Sequence, residues 1–505
     1  MNRVDGVKLL YALKREVSSA INAKLLVGKK KSSPIRSLFL KDFTDVIKER
    51  EGEADLLKRC SRLDREAREQ CLELIFQILI TKGLNVVEVD AILSQYFINY
   101  YSNPKDLTSS TNTLGLSKLR LILMPIESDL EDKLRKLAQV VYQELYGLSV
   151  LDEIFYMDID QANGSKIEEV ATVGPNGCWF NCSGIPTKLD KIHVPENVLR
   201  NVVDRLSINS PLLLNKSNPS VTTDSIARDR ISLTCPEYTR YYDLNIRRHY
   251  PGFINRDFLI KIQSSTEEFE RFCDLIMDFY PRIILTGDQA AGKTTRLRLL
   301  AERYPANTVI GTIESSYELE LGNLPHLIVK QLRVNNTDPE KAMRDCLRFG
   351  LHVMINGETR NALEAATVLQ VGERSSKGTL TSSHAPNAWD CIRSYVQMLV
   401  KERIFTSEAA ALSYLSHCID FIIVPAVDNV GDNATGFRYI SAVYEIPRVK
   451  ESEVDSFEPR ILFEADKQDF ILKKVNNISD EMLDFLSSRN YKPESLAKLR
   501  SGIYV

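Results

Sequence analysis

Apolar residues near the start of the chain recur at three- and four-residue steps: Leu56, Cys60, Leu63, Ala67, Cys71, Leu74, Ile75 and Ile78, with Lys, Arg, Asp and Glu between them. That period lays one apolar stripe along a helix, so residues 1–120 read as a helical segment whose stripe packs into a bundle. The polar run "NPKDLTSSTNTLGLSK" from Asn103 clusters Pro, Ser, Thr and Asn and reads as a linker or long surface loop. Over 121–265 the period is mixed. "LEDKLRKLAQVVYQELYG" is helical, "IEEVATVGPNGCWF" predicts strand, turn, strand around "GPNG", and "PENVLRNVVDRLSI" predicts a helix with Pro195 in its first turn. Short strand-like runs ending in "DLNIRR" complete an α+β pattern.

Beyond residue 266 the pattern changes again. "RIILT", "NTVIGTIE", "HLIVKQLR", "LHVMING", "GTLTSS", "DFIIVPAV" and "FRYISAVYEI" are apolar runs without strict alternation, and helical stretches at 292–304, 339–349, 361–371 and 387–401 separate several of them. Strands that do not alternate belong to a sheet covered on both faces, which predicts an α/β domain over 266–447. Residues 448–505, with helical "SDEMLDFLSSRN", read as a small carboxy-terminal tail.

Composition narrows the picture only a little. A net charge of −3 over 505 residues gives no overall basicity for wrapping nucleic acid. Of the nine cysteines only Cys178 and Cys182, in "CWFNC", lie close together, and no second Cys or His pair completes a zinc site. Charges interrupt every apolar run of "MNRVDGVKLLYALKREV", so the start does not read as a signal peptide. No stretch reaches the roughly 18 apolar residues a membrane helix needs. The expectation is a cytoplasmic protein that meets the inner face of the cell membrane only through partners.

The chemistry begins at "LTGDQAAGKTTRLRLL". Gly287, Gly292, Lys293 and Thr294 fit G-x-x-x-x-G-K-[ST] without a mismatch, between an apolar strand and a helix. A loop that cradles phosphate must converge backbone N–H groups on the oxygens, which needs glycine where a Cβ would block approach or φ must be positive. The following helix adds the partial positive charge of its N-terminus. The loop, with Gly287, Ala290, Ala291, Gly292, Lys293, Thr294 and Thr295, is therefore the expected binding site for ATP, and the Thr294 hydroxyl an expected ligand of Mg²⁺.

Such a loop needs an acid for the metal and a group to activate water. Glu314 and Glu318 follow the strand "NTVIGTIE", Glu358 and Arg360 follow "LHVMING", and His384 ends "GTLTSS". In a parallel sheet the strand carboxyl ends share one rim, where ligands bind. Three ionisable groups at three such ends are expected to face one crevice.

Four stretches in this order, "GDQAAGKT", "IESSYEL", "GETR" and "GTLTSSHA", resemble the Walker A loop, acidic box, Walker B and histidine box of the type II and type IV secretion ATPases, particularly the Tad/Flp-pilus and conjugation branch. Upstream, "IEEVATVGPNG", "DRIS" and "LNIRRHYP" resemble that family's N-terminal strands, and the resemblance spans roughly 130–447. It implies a RecA-like P-loop motor domain preceded by an α+β N-terminal domain and a helical N-terminal extension, assembled as a homo-oligomeric, hexameric ring. It implies that Glu358 polarises the attacking water, that Glu318 positions water or metal beside Glu314, and that His384 senses the γ-phosphate. It also implies that Arg230, Arg247 and Arg333 bring positive charge to the nucleotide, with Arg360 nearby. The implied partners are inner-membrane platform proteins of a secretion or pilus system, with no stable nucleic acid.

The chain departs from that pattern at Ser315, where the family has Asp, at Ala291, where Gly or Ser is common, and at "VGERSSKG", which replaces a Gly-His before the histidine box. Two other readings stay open at this point. A RecA-type nucleic-acid motor would need a basic groove with interleaved aromatics, for which "NIRRHYPGF" is short. A nucleotide-binding scaffold without turnover is the third.

Overall fold

A computed structural model describes residues 55–100, 129–156, 167–182, 185–189, 192–249, 254–334, 339–374, 377–428 and 436–504. The linker read at 103–118 and the first 54 residues lie outside them. The chain divides into two compact units, Met1–His249 and Tyr250–Val505.

In the first unit the helical stripe of the sequence is the helix Arg65–Lys82, which buries Ala67, Cys71, Ile75 and Leu79. Asp64 caps its start by accepting the amides of Glu66 and Ala67, and Gly83, at φ 65°, ends it in the left-handed conformation. Helix Leu130–Leu145 packs against it and against helix Val86–Tyr100. These helices share one apolar core with a six-stranded sheet of order β3-β2-β1-β6-β5-β4. Its strands are β1 (Ile167–Thr172), β2 (Cys178–Cys182), β3 (Ile185–Leu189), β4 (Ser220–Asp224), β5 (Arg230–Thr234) and β6 (Asp243–Arg247), all paired antiparallel. The helix Glu196–Ser207 follows Pro195 and lends Leu199, Val202, Val203 and Leu206 to the same core. All nine cysteines are buried free thiols, as ordinary core residues are.

The second unit is built on a nine-stranded sheet of order β15-β14-β13-β12-β7-β11-β10-β8-β9. The parallel portion comprises β7 (Ile283–Thr286), β8 (Val309–Glu314), β9 (Ile328–Arg333), β10 (Val353–Asn356), β11 (Thr379–Ser383) and β12 (Phe421–Val427). Every residue of β7, β10 and β11 is buried, which is why these runs do not alternate in the sequence. Side chains nonetheless take turns between two faces. Ile283, Leu285, Phe421 and Ile423 join one core with helices Glu267–Met277 and Lys293–Ala301, while Ile284, Ile422 and Val424 join the other with helices Ala388–Lys401 and Glu408–Cys418.

Three antiparallel strands, β13 (Arg438–Glu445), β14 (Arg460–Ala465) and β15 (Leu472–Lys474), extend the sheet past β12. The stretch read as a carboxy-terminal tail thus supplies sheet strands and core: Leu462, Phe463, Leu472, Met482, Leu483 and Leu486 are buried in the first of those two cores. Among the described residues no helix is long and apolar enough to cross a membrane.

Candidate functional site

The phosphate loop joins β7 to the helix Lys293–Ala301, and its two glycines are required for different reasons. A Cβ on Gly287 would collide with the carbonyl oxygen of Pro425 on β12, an overlap no side chain survives. Gly292, the residue before the helix, has φ 86° and ψ 23°, where only glycine sits without strain. Ala290 also has positive φ, at 63°, and its carbonyl accepts a hydrogen bond from Arg438 Nε at 2.7 Å. Ala291 is buried, while Thr294 and Thr295 are half-buried on the first turn of the helix.

Lys293 is buried, and its ammonium donates to the carbonyls of Gly287 and Asp288, both at 2.7 Å. Its third neighbour is His384 Nδ1 at 3.2 Å. An ammonium can only donate, so Nδ1 accepts and the ring hydrogen sits on Nε2. Nε2 lies 3.0 Å from Glu358 Oε1 and donates to it, and Glu358 Oε2 accepts from Arg360 Nη2 at 2.5 Å. A line of hydrogen bonds therefore runs from the loop lysine through the imidazole to the carboxylate and on to the guanidinium.

Charges follow from that line. Burial alone would push the Glu358 carboxyl up, but Arg360, His384 and Lys293 outweigh it and hold it below its ordinary value, so Glu358 is ionised. Burial, aided by Lys293 and opposed by Glu358, pushes His384 down, so the ring is neutral at pH 7. A cavity of about 210 Å³ opens beside this pair, lined also by Thr359, Arg360, Ser383 and Tyr395.

The turn carrying Glu358 is pinned by bonds that short-range pattern does not announce. Asn356 Nδ2 donates to the Glu358 carbonyl at 2.9 Å, the Thr359 amide donates to the Ser382 carbonyl at 2.7 Å, and the Ser382 hydroxyl donates to the Gly357 carbonyl at 2.7 Å. Thr286 Oγ1 donates to the Ala385 carbonyl at 3.0 Å, tying the tips of β7 and β11 together. None of Asn356, Thr359, Ser382 or Thr286 stands out in the sequence, because each acts only on a strand brought beside it by the fold.

The two acids after β8 differ. Glu318 is half-buried, with Oε2 at 3.5 Å from Thr294 Oγ1. Glu314 is buried and spent within the chain: Oε1 accepts the amides of Glu318 and Leu319, each at 2.9 Å, and Oε2 accepts from Thr312 Oγ1 at 3.1 Å. Burial pushes its carboxyl up to about 7 despite those donors. Glu314 thus shapes the loop that presents Glu318. Ser315, standing where the family has Asp, accepts from Arg333 Nε through its carbonyl at 3.2 Å and lies 3.5 Å from Arg360 Nη2 through its hydroxyl.

The rim of the second unit so gathers Lys293, Thr294, Glu318, Glu358, Arg360 and His384, with Arg333 on the flank. Arg230 and Arg247 belong to the first unit, where they face each other as register partners on β5 and β6. Among the described residues no group of three or more His, Cys, Asp or Glu side chains is disposed to hold a metal ion by itself. Thr294 and Glu318 offer two oxygens beside a loop shaped for phosphate, a donor set that suits a cation which keeps phosphate oxygens as its other ligands.

The architecture has an α+β first unit and an α/β second unit on a largely parallel sheet, its ionisable groups at the strand carboxyl ends. Residues 230–424 match the family described as type II/IV secretion system protein. An uncharacterized protein of Methanocaldococcus jannaschii is 24% identical over 286 residues, which make up 52% of this chain and 47% of that one. The chain spans about half the length of the curated relative it matches. Among solved structures, the VirB11 ATPase of the Brucella suis type IV secretion system, in complex with sulphate, is 18% identical, with a TM-score of 0.32 over 57% of this chain and 91% of that chain. The Yersinia pseudotuberculosis ATPase DotB is 13% identical, with a TM-score of 0.43 over 68% of this chain and 92% of that chain.

Proposed function

We propose that the chain is an ATP-hydrolysing motor for type IV secretion, conjugative transfer or Tad/Flp-type pilus assembly. It works as a homo-oligomeric ring, hexameric by family resemblance, in the cytoplasm and against inner-membrane platform proteins. The observation that carries the reading is the line Lys293–His384–Glu358–Arg360 at the mouth of the phosphate loop.

In this reading the loop amides and Lys293 hold the triphosphate, and Thr294 and Glu318 hold Mg²⁺, which supplies charge neutralisation on the phosphates when bound. Lys293 must leave the carbonyls of Gly287 and Asp288 to reach a phosphate, and its withdrawal frees His384 Nδ1. His384 thereby couples the lysine to Glu358, the ionised carboxylate that orients and accepts a proton from the attacking water. Arg230, Arg247 and Arg333 supply compensating positive charge from outside the loop.

Glu358→Gln tests this. The amide keeps the shape and the acceptor for His384 but cannot take a proton, so hydrolysis should fall by about a hundredfold or more while ATP binding persists. Equal rates in the two proteins would remove the catalytic assignment. A wild type that binds ATP without turnover would leave the scaffold reading, to which Ser315 in the acidic box lends its support.

A further inference from the structure

Arg438 opens β13, yet its side chain reaches the phosphate loop: Nε donates to the carbonyl of Ala290 at 2.7 Å, and its Cδ lies 3.7 Å from where a Cβ on Gly292 would stand. Lys293 bonds the loop's carbonyls from within. Arg438 grips it from another strand, 148 residues away in sequence. β12 and β13 are adjacent antiparallel strands whose pairing aligns Val427 with Arg438, so the strand ends that touch the loop come from one hairpin. Pro425 sits at the register shift in that pairing, and its carbonyl faces Gly287.

We infer that Arg438 is a positioning residue for nucleotide binding, holding the phosphate loop open for its ligand through the Ala290 carbonyl. The inference rests on the ATP-binding reading above. A trans peptide sets its C=O and N–H in opposite directions. With the Ala290 oxygen drawn toward Arg438, the Ala291 N–H is aimed the other way, into the turn, where it faces the Asp288 carbonyl at 3.4 Å. That distance is long for a hydrogen bond, so the amide is readily given up to a phosphate oxygen. Ala290 needs such a hold, because a non-glycine residue at φ 63° is strained and persists only where neighbours fix it. Without Arg438 the 290–291 peptide can flip, turning a carbonyl oxygen toward the phosphates where an N–H should be. The consequence is that the neighbouring pair β12 and β13, rather than the loop alone, decides whether the anion cradle is formed.

Glutamine separates the bond from the charge, since its Nε2 is attached to Cδ as the arginine Nε is. Binding of ATP and of inorganic tripolyphosphate would be measured by titration calorimetry for wild type, Arg438→Gln and Arg438→Met, with the thermal midpoint of each recorded. Arg438→Met keeps the stem, loses the donor, and should weaken both ligands about tenfold, the worth of one such bond. Arg438→Gln should stay within about threefold of wild type. Wild-type affinity in Arg438→Met overturns the inference, and so does an Arg438→Gln as weak as Arg438→Met, which would assign the effect to charge. A lower midpoint with unchanged affinity in the folded protein would mean a merely structural arginine and also overturns it. Should Arg438→Met fail to fold, Arg438→Gln beside Arg438→Lys, which keeps charge but misplaces the donor by one atom, decides the matter equally: Gln must bind better than Lys. If wild type itself binds neither ligand, it is the ATP-binding reading that fails.

Discussion

Glu314 makes a quantitative prediction whose sign is the reverse of the usual carboxylate. Its ordinary value is 4.5, and burial pushes it up to about 7 in the fold even though two amides and a hydroxyl donate to it. The folded protein therefore holds this proton more tightly than the unfolded chain. Stability from this group is fully present below about pH 4.5, falls as pH rises toward 7, and is flat above that. At about 1.4 kcal/mol per pH unit the loss amounts to about 3 kcal/mol. Glu314→Gln keeps an oxygen for the Glu318 and Leu319 amides and places an NH₂ beside Thr312, with no charge to bury. Denaturant titrations of both proteins, with EDTA and without nucleotide, should give similar stability at pH 5 and a variant more stable by about 3 kcal/mol at pH 8. On the proposed reading, in which Thr294 and Glu318 hold Mg²⁺ and Glu314 shapes the loop, the same variant should keep its Mg²⁺ requirement for hydrolysis. A variant destabilised equally at both pH values would refute the argument, and a tenfold higher Mg²⁺ requirement would return Glu314 to the metal.

Other outcomes follow from the same geometry. Gly287→Ala sets a Cβ against the Pro425 oxygen and must displace the loop, so ATP affinity should drop by at least about tenfold in calorimetry, with no loss expected from a Ser in place of the exposed Gly350. Because His384 is held below its ordinary value, protonation, which would set an N–H against Lys293, comes only at acid pH; the hydrolysis rate should stay level from pH 8 to about 6.5 and decline below, and an acid limb centred above 6.5 in the pH–rate profile would contradict the assigned tautomer. Asp420 is fully buried and accepts from Arg282 at 2.7 Å, Arg448 at 2.9 Å and Arg489 at 3.1 Å. Asp420→Ala strands three guanidiniums and should cost about 3–5 kcal/mol in a denaturant titration.

Much of the second unit is legible in the chain because local signals agree there. The apolar runs that become β7, β8, β10, β11 and β12 are unbroken since both faces of the sheet are covered, and the phosphate loop is a contiguous backbone device whose glycines are needed in place. The strand-end positions of Glu358 and His384 can be read too, since the carboxyl ends of parallel strands lie on one rim. β14 and β15 cannot. "RILFEA" and "LKK" carry no period of their own and become strands only by pairing with β13, so the final stretch reads as a tail although Leu462 and Phe463 are wholly buried. Arg438 is equally silent, as one arginine among many until β12 and β13 pair.

The order of the chemistry was set by sequence alone: a phosphate loop, then acids and a histidine, each following an apolar run. That is possible because a tight turn and a strand end are local features, spelled by a few consecutive residues. Which of those groups touch was decided only by tertiary structure. The bond from Lys293 to His384 and the grip of Arg438 on Ala290 depend on strands far apart in sequence being brought together by the sheet. Hydrogen bonds have a reach of about 3 Å, and no spacing along a chain reports which distant side chains will come within it.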